Sequence, residues 1–199
     1  MRNAGRQLPG RPELVLVRHG ETEWTRDGRH TSRSDIPLTD RGLQQSEALS
    51  AVLSGRTFDR VLTSPRQRAM ETCRQAGLAA RATVTRDLEE WDYGEYEGRT
   101  TDEIRSVVPG WSIWRDGCPG GEVAADVGRR ADRVIAEVRR GDVEAVAFAH
   151  GHVLRVLAAR WVGLAPTEGR WLALATASVS VLGWEREVPV ITLWNLTSS

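Results

Sequence analysis

The sequence predicts an α/β fold with a mostly parallel central sheet. Three short runs, residues 14–17, Arg60–Thr63 and residues 145–148, are apolar and rich in β-branched or small side chains, and a helical pattern follows each of them. Strands that alternate with helices favour parallel pairing, because the chain must cross over before it can run again in the same direction. A chain of 199 residues with 40% hydrophobic side chains can form one such domain.

The first three helices are predicted from their capping residues. Thr39 is placed to cap a helix over residues 40–53, and residues 100–103 form a capping-box pattern. Ser64 followed by Pro65 predicts an N-cap and a first helical residue, and Gly77 predicts the end of that helix.

The longest helix is predicted over residues 122–140, where apolar side chains recur at helical spacing and indicate a buried face. These side chains are Val123, Val127, Ala131, Val134, Ile135 and Val138. Residues 179–184 and 188–194, with a polar turn between them, predict a late pair of strands. We therefore expect a flexible tail over residues 1–12 and a single domain over residues 13–199.

Composition excludes several classes of function. Lys plus Arg and Asp plus Glu both number 27, so there is no basic excess to attract nucleic acid or an acidic membrane. Cys73 and Cys118 are far apart and form no CxxC pair, which argues against a disulfide framework and favours a reduced compartment. Residues 1–12 lack the apolar core of a signal peptide, and residues 171–184 are too short and polar to span a membrane. We expect a soluble cytoplasmic protein.

Two predicted strands end in a histidine followed by a glycine. The first ends at Arg18, His19 and Gly20, and the run at residues 145–149 ends at His150. A third strand leads into a helix that begins near Arg68. Because the carboxyl ends of parallel strands share one edge of a sheet, we expect these groups to meet there. Gly20 would let the backbone approach a ligand closely.

This set of groups suits phosphoryl transfer. The reaction needs cations that spread charge over three phosphoryl oxygens, and arginine forks match them. An imidazole can act as the nucleophile, because an unprotonated ring nitrogen is accessible near neutral pH. An acid must also protonate the leaving oxygen. Composition does not choose it from a cluster of carboxylates, namely Asp87, Glu89, Glu90, Asp92, Glu95 and Glu97.

Four separated motifs together resemble a known family. They are Arg18-His19-Gly20-Glu21-Thr22, Ser64-Pro65-x-x-Arg68-Ala69, Leu88-x-Glu90 followed by Gly94-x-x-Glu97-Gly98, and His150-Gly151. Their order resembles the histidine phosphatase (phosphoglycerate mutase-like) superfamily, and local details resemble its short sugar-phosphatase branch, which includes fungal sedoheptulose-1,7-bisphosphatase. The resemblance implies a three-layer α/β/α sandwich and a phosphomonoester hydrolase that acts on a small phosphorylated metabolite.

The resemblance also implies the roles of the site residues. His19 would carry the phosphoryl group, Arg18, Arg68 and His150 would complete the phosphate pocket, and Glu90 would be the acid and base, with Glu97 the first alternative. Further substrate contacts are expected from Gly20, Thr22, Arg29, His30, Thr31, Arg33, Gly151 and Arg155. Arg29, His30, Arg33 and Arg155 are the candidates for a second anionic group. No cofactor and no metal are expected.

Three alternatives remain open from the residues. A cofactor-dependent phosphoglycerate mutase would share the phosphohistidine step. Mutases of the superfamily that the motifs resemble typically carry a longer insertion after the acid motif, so the short stretch over residues 98–119 favours hydrolysis. A regulatory module that only binds phosphoproteins would keep the fold without turnover. His150 and His152 have the spacing of zinc ligands, but a catalytic zinc usually needs a third protein ligand. A homodimer is a further expectation.

Overall fold

A computed structural model describes residues 11–141 and 143–197, so the predicted tail over residues 1–12 lies almost wholly outside the described residues. The described chain forms one six-stranded sheet flanked by helices. The strands are β1 (Leu14–Arg18), β2 (Arg60–Thr63), β3 (Ala82–Val84), β4 (Ala145–Ala149), β5 (Val179–Glu185) and β6 (Val188–Leu196). The helices are α1 (Glu23–Arg26), α2 (Asp40–Leu53), α3 (Gln67–Gln75), α4 (Thr101–Val107), α5 (Ile113–Asp116), α6 (Ala124–Gly141) and α7 (Gly151–Trp161).

The strand order is β3-β2-β4-β1-β5-β6. Strand β4 pairs in parallel with β1 and β2, and β2 pairs in parallel with β3. The late hairpin adds the antiparallel part, since β5 pairs antiparallel with both β1 and β6. The mostly parallel sheet is therefore confirmed, and the carboxyl ends of β1, β2 and β4 lie at one edge.

Helices cover both faces of the sheet, which confirms the three-layer sandwich. Leu14 and Leu16 of β1 face a cluster with the apolar side chains of α6 and α7, whereas Val15 and Val17 face a cluster that includes Leu49 of α2. All four β1 side chains are essentially inaccessible to solvent. Burial on both faces explains why the sequence of this strand is continuously apolar rather than alternating.

The capping signals predict two helix starts correctly and one incorrectly. Thr39 caps α2, and the predicted capping box begins α4. The helix predicted to start after Ser64 instead begins at Gln67, with Arg66 at the N-cap position and no side-chain cap. Ser64 lies two residues before the N-cap position, and its hydroxyl oxygen accepts from Arg66 N at 3.4 Å and from the ring of His150 at 2.7 Å.

The apolar face predicted for the longest helix is buried, with one exception. Helix α6 starts at Ala124, so Val123 lies before it and its side chain is 47% exposed. The prediction of a buried Val123 was therefore wrong. Among the described helices, none has the length and apolar character needed to cross a membrane.

Candidate active site

The edge of the sheet where β1, β2 and β4 end carries a cavity of about 190 Å³. Strand β1 delivers Arg18 and His19 to it, and the start of α7 delivers Gly151 and His152. Glu90, from the segment that follows β3, closes one side. The convergence expected from the strand ends is thus found for groups that are far apart in the sequence.

His19 presents an unprotonated nitrogen. Its Nδ1 lies 2.7 Å from the carbonyl oxygen of Gly20, and because a carbonyl can only accept, Nδ1 carries the ring proton. Burial, followed by the nearby charges of Arg68 and Arg18, holds the pKa of His19 well below its usual range. The ring is therefore neutral at pH 7, and Nε2 keeps its lone pair.

His150 packs against His19 with its proton in a defined position. The ring centroids are 5.1 Å apart in an edge-on arrangement. Arg68 Nε donates to His150 Nδ1 at 3.2 Å, so Nε2 carries the proton and donates to Ser64 Oγ at 2.7 Å. Burial and the charge of Arg68 lower the pKa of His150 well below its usual range.

The two arginines of the predicted phosphate pocket occupy different environments. Arg18 lines the cavity, and its buried Nε has no hydrogen-bond partner within residues 11–141 and 143–197. Arg68 is fully buried and does not line the cavity. Its guanidinium donates to the carbonyls of Thr31 and Ser34, at 3.1 and 3.0 Å. Arg68 therefore holds the covering segment, residues 31–34, of which Thr31 lines the cavity.

Three backbone amides fix the carboxylate of Glu90. Oε1 accepts from Trp91 N and Val153 N, both at 2.9 Å, and Oε2 accepts from His152 N at 3.0 Å. Two of these amides belong to the first turn of α7, where unpaired N–H groups favour an anion. A carboxylate has about four lone-pair positions, so one position on Oε2 remains.

Glu97, the alternative acid, binds backbone amides outside the cavity. Its carboxylate accepts from the backbone amides of Ser32 and Ser34, at 2.9 Å each, and does not line the cavity. It therefore fixes the same segment that Arg68 holds from the other side.

Five of the substrate residues expected from the sequence line the cavity: Arg29, His30, Thr31, Gly151 and Arg155. Arg155 is anchored, because its Nε donates to Gly169 O at 3.1 Å and its guanidinium lies 4.6 Å from the centre of the Trp114 ring. Arg29 donates to Gly98 O at 2.8 Å.

Three expected substrate residues lie elsewhere. Arg33 is mostly exposed, pairs with Asp92 and lines a different cavity. Thr22 is buried and caps α1. Gly20 is small for packing rather than for ligand approach, since a Cβ there would lie 2.4 Å from the carbonyl oxygen of Gly42.

The sequence does not predict the contact between Tyr93, which is buried, and His152, which is partly buried. The Tyr93 hydroxyl lies 2.7 Å from His152 Nδ1, and both residues line the cavity. The spacing of His150 and His152 indicates only a possible zinc ligand at His152. In the sequence, His152 is close to His150 and Tyr93 is close to Glu90, which indicates that both lie near the site. The sequence does not show that these two residues, 59 positions apart, contact each other.

The hydrogen bonds of the His150 and His152 rings argue against these two residues as zinc ligands. Both nitrogens of His150 are already hydrogen-bonded, and Nδ1 of His152 is bonded to Tyr93. Within the described part of the chain, no three His, Cys, Asp or Glu side chains cluster as a metal site would require.

Comparison with known proteins gives concordant matches. The histidine phosphatase superfamily (branch 1) matches residues 14–197. An acid phosphatase from Mycobacterium tuberculosis is 41% identical over 188 residues, which cover 92% of each protein. The sedoheptulose 1,7-bisphosphatase of Saccharomyces cerevisiae is 36% identical, covering 77% of this chain and 68% of that protein.

A solved structure of an open reading frame from Mycobacterium tuberculosis superposes with a TM-score of 0.89 at 40% identity, covering 94% of this chain and 98% of that chain. Relatives named 2,3-bisphosphoglycerate-dependent phosphoglycerate mutase also match. The one from Azorhizobium caulinodans is 35% identical, covering 72% of this chain and 78% of that protein.

Proposed function

The chain belongs to the histidine phosphatase superfamily, and we propose that this phosphatase carries the phosphoryl group of its substrate on Nε2 of His19. The family resemblance seen in the motifs is confirmed by that match. The observation that carries the proposal is the bond from Nδ1 of His19 to Gly20 O, which leaves a neutral ring with its lone pair on Nε2.

The reaction has two displacements. In the first, the lone pair of His19 Nε2 forms a bond to phosphorus as the ester P–O bond breaks, and the departing oxygen takes a proton from Glu90. In the second, Glu90 takes a proton from water as the water oxygen attacks phosphorus, and the P–N bond breaks. Inorganic phosphate leaves, and Glu90 is again protonated for the next cycle.

The surroundings of His19 support this sequence of steps. Arg18 has an unpartnered Nε within the described residues, and that donor suits an equatorial phosphoryl oxygen. Arg68 contributes its charge and holds the covering segment through Thr31. His150 keeps an N–H on its Nε2, which a phosphoryl oxygen could receive in place of Ser64 Oγ.

The substrate we propose is a small phosphorylated metabolite, either a sugar phosphate or a bisphosphate. A cavity of about 190 Å³ that leaves only 3% of His19 exposed suits a small molecule better than a protein segment. This argues against a module that binds phosphoproteins. Named relatives that act on sugar bisphosphates and other small esters support the same class.

The mutase alternative differs only in the acceptor of the phosphoryl group. Relatives named as mutases support it as a second candidate. Single turnovers with 3-phosphoglycerate as the acceptor would distinguish them: a hydrolase releases inorganic phosphate at an unchanged rate, whereas a mutase forms bisphosphoglycerate. Rapid quenching and phosphate analysis give the answer directly.

Location and assembly stay predictions. The free, buried thiols of Cys73 and Cys118 support the expected reduced cytoplasm. The expected homodimer can be tested by light scattering.

A further inference from the structure

We propose that His152 and His30 form a hydroxyl-binding subsite beside the phosphate pocket, so that the enzyme selects esters whose carbon chain carries a hydroxyl group. This inference rests on the proposed function, because it assigns the part of the substrate that lies beyond the phosphate. The substrate class it implies is a phosphorylated polyol or sugar.

The first observation is the position of the proton on His152. The hydroxyl of Tyr93 is buried, and His152 Nδ1 at 2.7 Å is its sole hydrogen-bond partner in the described part of the chain. Burial raises the pKa of Tyr93 well above its usual range, and burial lowers the pKa of His152 well below its own, so the phenol donates and the ring accepts. The ring proton of His152 therefore lies on Nε2.

The second observation is an unsatisfied nitrogen on His30. Its Nε2 is buried and has no hydrogen-bond partner among residues 11–141 and 143–197, although the ring lines the same cavity. Backbone bonds with Gly98 and Arg99, at 2.8 and 2.9 Å, hold the residue in place. Buried polar atoms are nearly always paired, so this nitrogen needs a partner from the cavity.

A hydroxyl group fits this pair better than an anion does. Burial lowers the pKa of His30 to about 4, so both rings are neutral near pH 7 and neither offsets a charge. A hydroxyl oxygen can accept from His152 Nε2–H and its proton can be donated to His30 Nε2. Both rings line the same cavity, and their centroids are 6.2 Å apart.

The position of His152 also indicates which hydroxyl is bound. Its backbone amide donates to Glu90 Oε2 at 3.0 Å, and its Nδ1 lies 4.0 Å from the same oxygen. Since Glu90 serves the leaving oxygen in the proposed reaction, these contacts place the His152 residue beside the part of the site that receives that oxygen. The recognised hydroxyl would therefore be on a carbon close to the ester carbon.

The test compares glycerol 3-phosphate with propyl phosphate, which share a three-carbon chain and differ in its hydroxyl groups. Wild-type enzyme should favour glycerol phosphate in kcat/KM by tenfold or more, because a polar site discriminates against an analogue that leaves it unpaired. His30→Phe and His152→Phe should each lower kcat/KM for glycerol phosphate about tenfold, the size of one hydrogen bond. The loss for propyl phosphate should be smaller in each variant, because propyl phosphate has no hydroxyl group to pair with the subsite.

Tyr93→Phe is the variant that keeps the fold, because it removes one oxygen and leaves the ring packed against His30. It should also reduce the preference for glycerol phosphate, since His152 would no longer have its proton held on Nε2. Tyr96→Phe is the matched control, because Tyr96 is similarly buried and lies outside the cavity lining. It should leave the preference unchanged.

Each outcome bears on a different claim. Equal wild-type rates on the two esters, or parallel losses on both esters in all three cavity variants, would overturn the hydroxyl subsite and leave the phosphatase activity standing. Failure of wild-type enzyme to release phosphate from either ester, or from p-nitrophenyl phosphate, would overturn the proposed function instead.

Discussion

Glu90 is the residue whose setting most limits what it can do. Three amides occupy three of its lone-pair positions, so its orientation is fixed and only Oε2 has a position left for a proton. That oxygen also faces the start of α7 together with His152. The carboxyl group is therefore held where a single, directed proton transfer can take place.

Glu90→Gln should separate leaving groups. An alkyl ester needs protonation of its oxygen, so its turnover should fall by about 10²–10⁴. The phosphorylation step with p-nitrophenyl phosphate, whose leaving group needs little protonation, should fall much less. Burst kinetics measure that step, and Glu89→Gln is the control because Glu89 pairs with Arg66. An equal loss across both esters would assign the acid role to another group.

Arg155→Met tests whether a second anion binds. Removing a charged hydrogen bond should lower kcat/KM for a sugar bisphosphate by about 1.5 to 3 kcal/mol and barely affect a small monophosphate. Arg129→Met is the matched control, since Arg129 is exposed and pairs with Asp126 on α6. Arg155 also bonds to Gly169 O, so thermal stability is measured in parallel. Equal losses on both substrates would reject the distal anion site.

The sequence predicts which groups gather at the site better than it predicts their contacts. His19, Arg18 and Glu90 meet because strand ends and one family motif locate them. The exposed position of Arg33 could not be foreseen, because its pairing with Asp92 depends on how two loops pack. The bond between Tyr93 and His152 is likewise a product of tertiary packing.

At the scale of elements, the contact between the end of β1 and helix α2 depends on a missing side chain. A Cβ at Gly20 would lie 2.4 Å from Gly42 O and 2.6 Å from Ser46 Oγ, both in α2. Gly20 N also donates to Thr72 Oγ1 of α3, at 3.1 Å. The turn after His19 is therefore fixed by two helices.

Gly20→Ala should destabilise the fold by about 1–3 kcal/mol, because an added methyl group would displace backbone in a packed contact. The free energy of unfolding in urea measures it. Ser50→Ala, on the exposed side of α2, should change that free energy by less than about 0.5 kcal/mol. A Gly20→Ala protein as stable as wild type would show that the turn tolerates a side chain.

Long apolar runs predict strands and helices well, whereas very short runs and single capping residues do not. Strands β1, β2 and β4 and the late hairpin follow from their apolar patterns. Strand β3 has only three residues, two of them exposed, so no periodicity marks it. Ser64 resembles an N-cap, but its hydroxyl bonds to His150, which no local pattern reveals.

Across the whole molecule, two buried histidines, His19 and His150, and two partly buried ones, His30 and His152, link stability to pH. Burial is the largest cause of a lowered pKa at His19, His30, His150 and His152. Below about pH 6.5 the unfolded chain binds protons that the native chain does not, so stability is lost as pH falls. Carboxylates with lowered pKa values, such as Glu71, titrate only at lower pH.

The free energy of unfolding should therefore be nearly constant from pH 8 to 7.5 and should decrease below pH 6.5. Each histidine contributes a loss of up to about 1.4 kcal/mol per pH unit. Urea unfolding at pH 7.5, 6.5 and 5.5 measures how steeply the free energy of unfolding depends on pH. His30→Phe should reduce this slope by up to about 1.4 kcal/mol per pH unit, the contribution of one bound proton. A constant free energy of unfolding between pH 7.5 and 5.5 would show that the histidines of the native protein are not held neutral.

In the proposed reaction the phosphoryl group passes through His19. Mixing the enzyme with ³²P-labelled substrate and denaturing it rapidly should trap a phosphoryl group that is acid-labile and alkali-stable, and peptide mapping should locate it on His19. His19→Ala should lose both the adduct and turnover, and a chelator should change neither in the wild-type enzyme. Turnover without a trapped adduct would show that the phosphoryl group does not pass through His19, and inhibition by a chelator that added metal reverses would show that the reaction needs a metal ion.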